Sequence, residues 1–378
     1  MQLSIIILNY NVRYFLELCV LSVQSAIRNI DAEIIVVDNS SPDDSCQMMR
    51  ERFPDVILIE NTENTGFPRG NNIGVAAARG EYVCILNPDT VVAEDTFEKL
   101  LAFAASKTDL GIVGCRLLDG RGNFLPESKR GIPTPFAAFA KISGLYKIFP
   151  NSRRFNRYYA SHIDEHQTGR ADILVGAFML LKKELYVEAG GFDERYFMYG
   201  EDIDFSFSVL NNGKKNYYFH DTAVIHYKGE STVKDRNYMK RFQQGMELFY
   251  EKHGSASAFF STFMKAGMFF FSFLKAFRAK AAPFPKPERY CLVTGNLDSG
   301  LLKILEERLQ ASVAVCSEDA GPDRTEFIID IESVGFKKAI DFIASPGRRH
   351  CTFKMLLKKS NYLIGSNSSS DRGEVVRL

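Results

Sequence analysis

Four short apolar runs, separated by stretches of helical spacing, constrain the fold of this chain more than any other feature. Residues 4–8 form a β-branched run of strand length, and 33–41 ("EIIVVDNSS"), 56–60 and 81–86 repeat the pattern. Between them, 11–25 sets Val12, Phe15, Leu16, Cys19, Val20 and Val23 at helical intervals, 44–53 reads as a helix, and 70–79 as a helix of small residues. Strands alternating with helices of this length are βαβ units, which build a parallel sheet. Two of the runs end in polar groups, Asp38 with Asn39 and Asn87 with Asp89. In a parallel sheet those ends share one rim, and in open α/β sheets that rim faces the ligand crevice. A carboxylate there can hold a divalent cation through hard oxygen ligands. Asn87-Pro88-Asp89 is also good turn chemistry, but a turn explains either end alone and not both on one rim.

Further along, a helix at 93–106 and a strand at 111–117 precede an irregular stretch, 119–170, rich in Arg, Pro, Phe and Tyr. Such a stretch is a variable binding surface or a long insertion. Order returns with a strand at 176–182, helices at 183–189 and 201–211, and a strand near 216–220. A length of 378 residues with 46% hydrophobic and 25% charged residues fits a globular chain of two domains, or one domain with an appendage. A formal net charge of +1 offers no field for nucleic acid. Seven scattered cysteines without C-x-x-C pairing read as reduced thiols of a cytosolic protein. The first residues lead straight into a strand, without the basic n-region or cleavage site of a signal peptide.

Five blocks stand in a telling order: "SIIILNYN", "IIVVDNSSPDDS", "NTGFPRGNNIGVAAARGEYVCILNPDT", "GGFDERYFMYGEDIDFS" and "AVIHYKGEST". Together, over about residues 3–235, they resemble the inverting family 2 glycosyltransferases, close to the bacterial rhamnosyltransferase-like branch. The resemblance implies a GT-A nucleotide-diphospho-sugar transferase fold, a Rossmann-like, mostly parallel sheet with helices on both faces. It implies that Asp38, with Asn9 and Tyr10, meets the donor's base or ribose, and that Asn64, Gly66, Phe67 and Asn72 wrap the nucleotide. Asn87 and Asp89 stand in place of the family's D-x-D motif, so Asp89 is expected to bind Mg²⁺ or Mn²⁺ on the donor diphosphate. The Asn in the first position leaves one charge fewer on the metal. In "GEDID" the family's E-D motif makes Asp202 the first choice for the base that accepts the acceptor proton, and Glu201 the second. Without the resemblance, these acids are a helix N-terminus stabilised by negative charge. His226 matches a metal or phosphate position of some relatives, or is a buried, satisfied histidine. Ser208 replaces an arginine common in relatives, whose diphosphate contact would pass to Arg69 or Lys228.

The same resemblance implies a donor linked to dTDP or UDP, a glycan or lipid-linked acceptor, and a role in bacterial surface polysaccharide synthesis. A catalytically silent nucleotide-sugar-binding or scaffold protein is the alternative. The stretch 259–280, "FFSTFMKAGMFFFSFLKAFRAK", collects Ser261, Lys265, Ser272 and Lys275 in one stripe opposite most of its phenylalanines. That pattern suits a helix lying in a membrane interface, where lysines stay among headgroups, or a core helix between domains. The protein is therefore expected in the cytoplasm, at the inner face of the plasma membrane. Three regions follow: a transferase domain over 1–250, the amphipathic helix and a proline-stiffened linker over 251–289, and a small α/β module over 290–378. In the last, "GNLDSG" lacks G-x-G-x-x-G spacing, so the module reads as structural or partner-docking rather than cofactor-binding.

Overall fold

The computed structural model describes residues 1–134, 136–137, 148, 157–229, 236–254, 286–316, 324–348, 350–367 and 373–378. The larger of its two sheets comprises β1 (Leu3–Asn9), β2 (Ala32–Asp38), β3 (Ile57–Glu60), β4 (Tyr82–Leu86), β5 (Thr90–Val91), β6 (Leu110–Leu118), β7 (Gly169–Arg170), β8 (Phe178–Lys182) and β9 (Lys215–His226). Their order is β3-β2-β1-β4-β8-β6-β9-β5, with β7 beside β9. Around it lie α1 (Arg13–Ala26), α2 (Ser45–Arg52), α3 (Gly66–Ala77), α4 (Thr96–Ala105), α5 (Lys183–Glu188), α6 (Glu201–Asn211) and α7 (Arg236–Lys252).

Successive side chains of a strand point to opposite faces, and β1 uses both. Ile5 and Ile7 join Leu16, Cys19 and Val20 of α1 and Phe97 of α4, whereas Ile6 and Leu8 join Val75 of α3 and Phe205 and Val209 of α6. A strand covered on both faces has to be apolar throughout, which is why these runs are so legible. The chain lays β2 and β3 to one side of β1, then returns to put β4 on the other. That reversal opens a crevice at the carboxyl ends of β1 and β4.

The expected architecture, a mostly parallel sheet with helices on both faces plus a small carboxyl-terminal α/β unit, is the one observed. Within it, β8 runs antiparallel between β4 and β6. Helix α3 starts four residues earlier than its small-residue pattern suggests, because a turn at Gly66 lets the Phe67 N–H reach Phe197 O at 2.9 Å. Helix α7 lies where the sequence reading assigns nothing. Its apolar residues Phe242, Met246, Phe249 and Tyr250 have helical spacing, and they pack on Ile173 and Ile203.

The second sheet has β10 (Arg289–Val293), β11 (Val313–Val315), β12 (Thr325–Asp330), β13 (Thr352–Leu357), β14 (Tyr362–Gly365) and β15 (Glu374–Arg377), ordered β11-β10-β12-β13-β14-β15. With it come α8 (Ser299–Leu309), α9 (Ile331–Val334) and α10 (Phe336–Ala344). This unit shares a core with the first: Val12, Phe15, Val91, Ala93, Ile225 and Tyr227 pack with Phe336, Ala339, Ile340 and Ile343. Polar contacts reinforce the join. Buried Glu17 on α1 accepts from Ser360 Oγ (2.6 Å) and pairs with Arg52. The expectation of seven reduced thiols is corrected here. Adjacent β10 and β11 bring Cys291 and Cys316 together as a disulfide, with Cα atoms 5.9 Å apart, and the other five cysteines are thiols. The stretch 259–280 lies outside the described residues. Among those described, no helix is long and apolar enough to cross a membrane.

Candidate active site

Parallel pairing of β1 with β2 sets Asn9 beside Asp38 at the rim. Asn9 Nδ2 donates to Asp38 Oδ2 (2.7 Å), the Ser41 hydroxyl donates to the same oxygen (2.7 Å), and the Ser41 N–H donates to Oδ1 (2.8 Å). Asn9 and Asp38 are both buried, and Asn9 Oδ1 lacks a partner among the described residues. Tyr10 follows, half-buried. Asn39, which the sequence reading gave no role, turns out to be a hub. Its amide donates to Asn64 Oδ1 (3.3 Å) and Gly66 O (3.0 Å) and accepts from Asn61 Nδ2 (2.8 Å) and Thr65 Oγ1 (3.0 Å). It thereby ties the loop before α3 to the end of β2.

Gly66 has φ +81°, and a Cβ there would lie 2.5 Å from Phe197 O. Only glycine meets both conditions. Phe67 then lies edge-on to Phe192, ring centroids 5.6 Å apart, and against Gly176. Asn72, expected to meet the nucleotide, is corrected by its contacts. Its Nδ2 donates to Phe192 O and Glu194 Oε1 (2.9 Å each), and its Oδ1 accepts from Tyr186 Oη (2.6 Å) and the Phe192 N–H (3.1 Å). The amide is spent bracing the loop after α5, and none of its capacity is left for a ligand.

A second cluster forms where Asn87 and Asp89 leave β4. Antiparallel pairing of β5 with β9 sets Thr90 opposite His226. His226 Nε2 comes within 3.4 Å of Asp89 Oδ1 and 3.3 Å of Asn87 Nδ2. Asp89 and His226 are buried, and His226 Nδ1 has no partner among the described residues. An octahedral ion with bonds of about 2.1 Å holds neighbouring ligands about 3 Å apart, so this carboxylate and imidazole fit as two ligands of one cation. They do not fill a coordination shell. Among the described residues no group of three or more His, Cys, Asp or Glu side chains could hold an ion. A cation here would complete its shell with phosphate oxygens and water, the usual habit of Mg²⁺. Of the two proposed stand-ins for the missing arginine, Lys228 is paired with Glu127, while Arg69 is exposed.

The third cluster opens α6. Tyr199 (φ +74°) and Gly200 (φ +98°) turn the chain into the helix, and a Cβ on Gly200 would press on the Tyr196 ring at 3.1 Å. The three acids that follow have different partners. Asp204 is bound by Lys252 Nζ at the end of α7 and by His253 Nε2 just after it, each at 2.8 Å. Asp202 Oδ2 receives Arg130 Nη2 (2.5 Å) and the Gly176 N–H (3.3 Å), while Oδ1 receives the Ile203 N–H (2.8 Å). Glu201 Oε2 is buried with no hydrogen-bond partner among the described residues. Burial, and then the charge of Asp202 beside it, push the Glu201 carboxyl well above its usual range. Arg130 escaped the sequence reading because it lies in the aperiodic stretch, where only spatial neighbours reveal a role.

Two backbone residues join these clusters. The Gly176 N–H bonds to Asp202, and Ala177 O accepts the Asn87 N–H at 3.0 Å. Phe67, Asn87 and Asp202 therefore converge on one turn of chain entering β8.

Residues 4–188 match the model of the family described as glycosyl transferase family 2. Over this segment, just under half of the chain, the sequence is similar to glycosyltransferase family 2. It is 27% identical over 213 residues to the N-acetylglucosaminyl-diphospho-decaprenol L-rhamnosyltransferase of Mycobacterium tuberculosis, covering 53% of this chain and 68% of that protein. It is 29% identical over 210 residues to the low-salt glycan biosynthesis hexosyltransferase Agl10 of Haloferax volcanii, covering 54% of this chain and 61% of that one. Among solved structures, the mannosyltransferase PcManGT of Pyrobaculum calidifontis matches with a TM-score of 0.47 and 21% identity, over 68% of this chain and 65% of that one. That last likeness is too loose to carry an argument.

Proposed function

We propose that the chain is an inverting glycosyltransferase that moves a sugar from a dTDP- or UDP-linked donor to a hydroxyl of a glycan or lipid-linked acceptor in surface polysaccharide synthesis. The observation that carries this reading is the convergence of Asn87, Phe67 and Asp202 on residues 176 and 177 at the crevice rim. It brings the Asn87 end of β4 and a buried carboxylate pair to either side of a short stretch of backbone, which supports a cation edge opposite a base. Inversion needs that division: the acceptor oxygen bonds to the anomeric carbon from one side while the bond to the diphosphate breaks on the other.

In this scheme Asn9, Tyr10, Asp38, Asn64, Gly66 and Phe67 shape the nucleotide side, with Asn39 holding their loop in place. Asp89 and His226 hold Mg²⁺ or Mn²⁺, which when bound offsets the charge of the departing diphosphate. Asp202 takes the proton of the acceptor hydroxyl, through the lone pair of Oδ1 that the Ile203 N–H leaves over. The lipid-linked form of the acceptor draws on the decaprenol-linked substrate named for the mycobacterial relative and on the amphipathic pattern of 259–280. That pattern also supports peripheral contact with the inner face of the plasma membrane.

The test is a panel of nucleotide sugars with Mn²⁺, scored both for a rise in melting temperature and for release of the nucleoside diphosphate. The reading expects at least one pyrimidine-linked donor to do both. A donor that stabilises the protein without being turned over, alone or with polyprenyl-linked acceptors, would favour the silent binding protein.

A further inference from the structure

Glu201 and Asp202 place two carboxylates in one buried site, and Arg130 is the only guanidinium or ammonium given a bond to either among the described residues. Arg130 is itself buried and fixed. Its backbone N–H and C=O both bond to Ile173 at 2.9 Å, and its Nη2 also donates to Leu174 O at 3.1 Å. One buried cation balances one buried anion. With both carboxylates ionised the site would carry a net negative charge out of water, which is costly. With one proton shared between them it is neutral.

We propose that Arg130 is the positioning residue that decides which carboxylate holds that proton, keeping Asp202 ionised and aimed while Glu201 stays protonated. The proposal rests on the reading of Asp202 as the base. Geometry gives the direction: the guanidinium touches Asp202 Oδ2 at 2.5 Å, whereas Glu201 Oε2 has no hydrogen-bond partner among the described residues. The raised Glu201 carboxyl, driven by burial and by the Asp202 charge, points the same way. Two sites whose environments push their proton affinities apart divide the acid and base roles between them. The other groups facing this pair do not undo the division. Tyr196, from the preceding loop, bears a neutral phenol, since burial raises it, and Tyr158 is a partner of Arg130 itself. Backbone N–H groups of residues 199 and 201 favour an ionised Glu201, but burial and the Asp202 charge outweigh them. Asp204 is already bound by Lys252 and His253.

Arg130→Gln removes the cation and Arg130→Lys keeps it, so the two variants separate charge from shape. Wild type at neutral pH should show the infrared carbonyl band of a protonated carboxyl that vanishes in Glu201→Gln. In Arg130→Gln a second protonated-carboxyl component, from Asp202 and insensitive to Glu201→Gln, should appear, and in Arg130→Lys only the Glu201 band should persist. On the kinetic side, Arg130→Gln should lower kcat about 100-fold with donor Kd within about twofold. The acidic limb of its pH profile should move up by about one unit, and Arg130→Lys should restore most of that shift. An unmoved limb, or a wild-type protonated-carboxyl band indifferent to Glu201→Gln, would overturn the proposal. If the wild type turned over no donor, the functional reading would fail, yet the infrared comparison would still decide the proton's place. Should Arg130→Gln not fold, Arg130→Lys carries the same test, since a lost band there also refutes it.

Discussion

Both sheets lay their first strand between the second and a later one, β1 between β2 and β4, and β10 between β11 and β12. Each therefore opens a crevice at the carboxyl ends of the pair where chain order reverses. Each also delivers a buried carboxylate there, Asp89 just after β4 and Asp330 at the end of β12. The partners differ. Asp330 Oδ2 receives Thr294 Oγ1 (2.7 Å), Ser333 Oγ (2.8 Å) and Lys358 Nζ (2.9 Å), so only Oδ1 is left without a bond. Among the described residues, Asp89 meets no cationic group but an imidazole, 3.4 Å away. A carboxylate with an ammonium built in is complete, whereas one that meets only an imidazole and an amide suits the proposed cation. The same topology thus serves stability in the small sheet and, in the proposed function, chemistry in the large one.

The largest effect should come from breaking the large edge. Asp89→Asn keeps the shape but removes the charge proposed to hold the cation. Transfer should fall at least about 1,000-fold, since a metal supplies several kcal/mol of transition-state stabilisation. The melting-temperature rise caused by Mn²⁺ should vanish with it. A variant that kept both would show that the ion binds elsewhere.

Asp330→Asn makes the matching change in the small edge and should leave Mn²⁺ binding alone. Lys358 would lose its partner while partly buried, at a cost of about 2 kcal/mol in urea unfolding at neutral pH. The pH dependence has a definite sign. Burial by itself would raise the Asp330 carboxyl, but the donors Lys358, Thr294 and Ser333 outweigh it and hold the carboxyl below its usual range. Stability from a lowered carboxyl is present above its unfolded value and is lost as pH falls through its folded value. Wild type should therefore lose its advantage over Asp330→Asn below about pH 4. A constant difference down to pH 2 would contradict the ion pair.

His226→Gln tests how much the imidazole contributes at the large edge. It should weaken Mn²⁺ binding about tenfold, seen by calorimetry or by the Mn²⁺ melting shift, with little change in stability without metal. Unchanged affinity would leave His226 as a partner of Asn87 and Asp89 only.

Much of this contrast was legible in the sequence, and the illegible part has a physical cause. The apolar runs of β1, β2 and β4 announced themselves because strands covered on both faces leave no polar position. Asp38 and Asp89 stood out as the polar ends of those runs. Arg130 did not, and Asn39 stood out only as a strand end without a role, since each acts through neighbours far away in the chain: Asp202 in one case, Asn61 to Gly66 in the other. Asn72 misled for the complementary reason. Its motif setting suggested a ligand, while its bonds go to Tyr186, Phe192 and Glu194, all more than a hundred residues away. The shared core of the two sheets was invisible as well, because Phe15 and Phe336 each satisfy a local helical pattern whatever they pack against.

The smallest effect concerns that join. Glu94 follows β5 by three residues, and its two oxygens accept the N–H groups of Phe336 (2.7 Å) and Lys337 (2.6 Å), capping α10 across the interface. A carboxylate at a helix N-terminus gains from both the hydrogen bonds and the dipole. Glu94→Gln keeps one acceptor but turns an NH₂ group toward a backbone N–H, so a cost of about 1 kcal/mol is expected. The large apolar contribution is untouched: Phe15, Tyr227, Phe336 and Ile340 stay buried together. Unfolding of Glu94→Gln in urea should accordingly remain a single transition with an unchanged slope and a lower midpoint. If it split into two transitions, the cap rather than the shared core would be what holds the sheets together. In that case Asp89 and His226, which flank the same strands β5 and β9, should lose Mn²⁺ affinity in parallel.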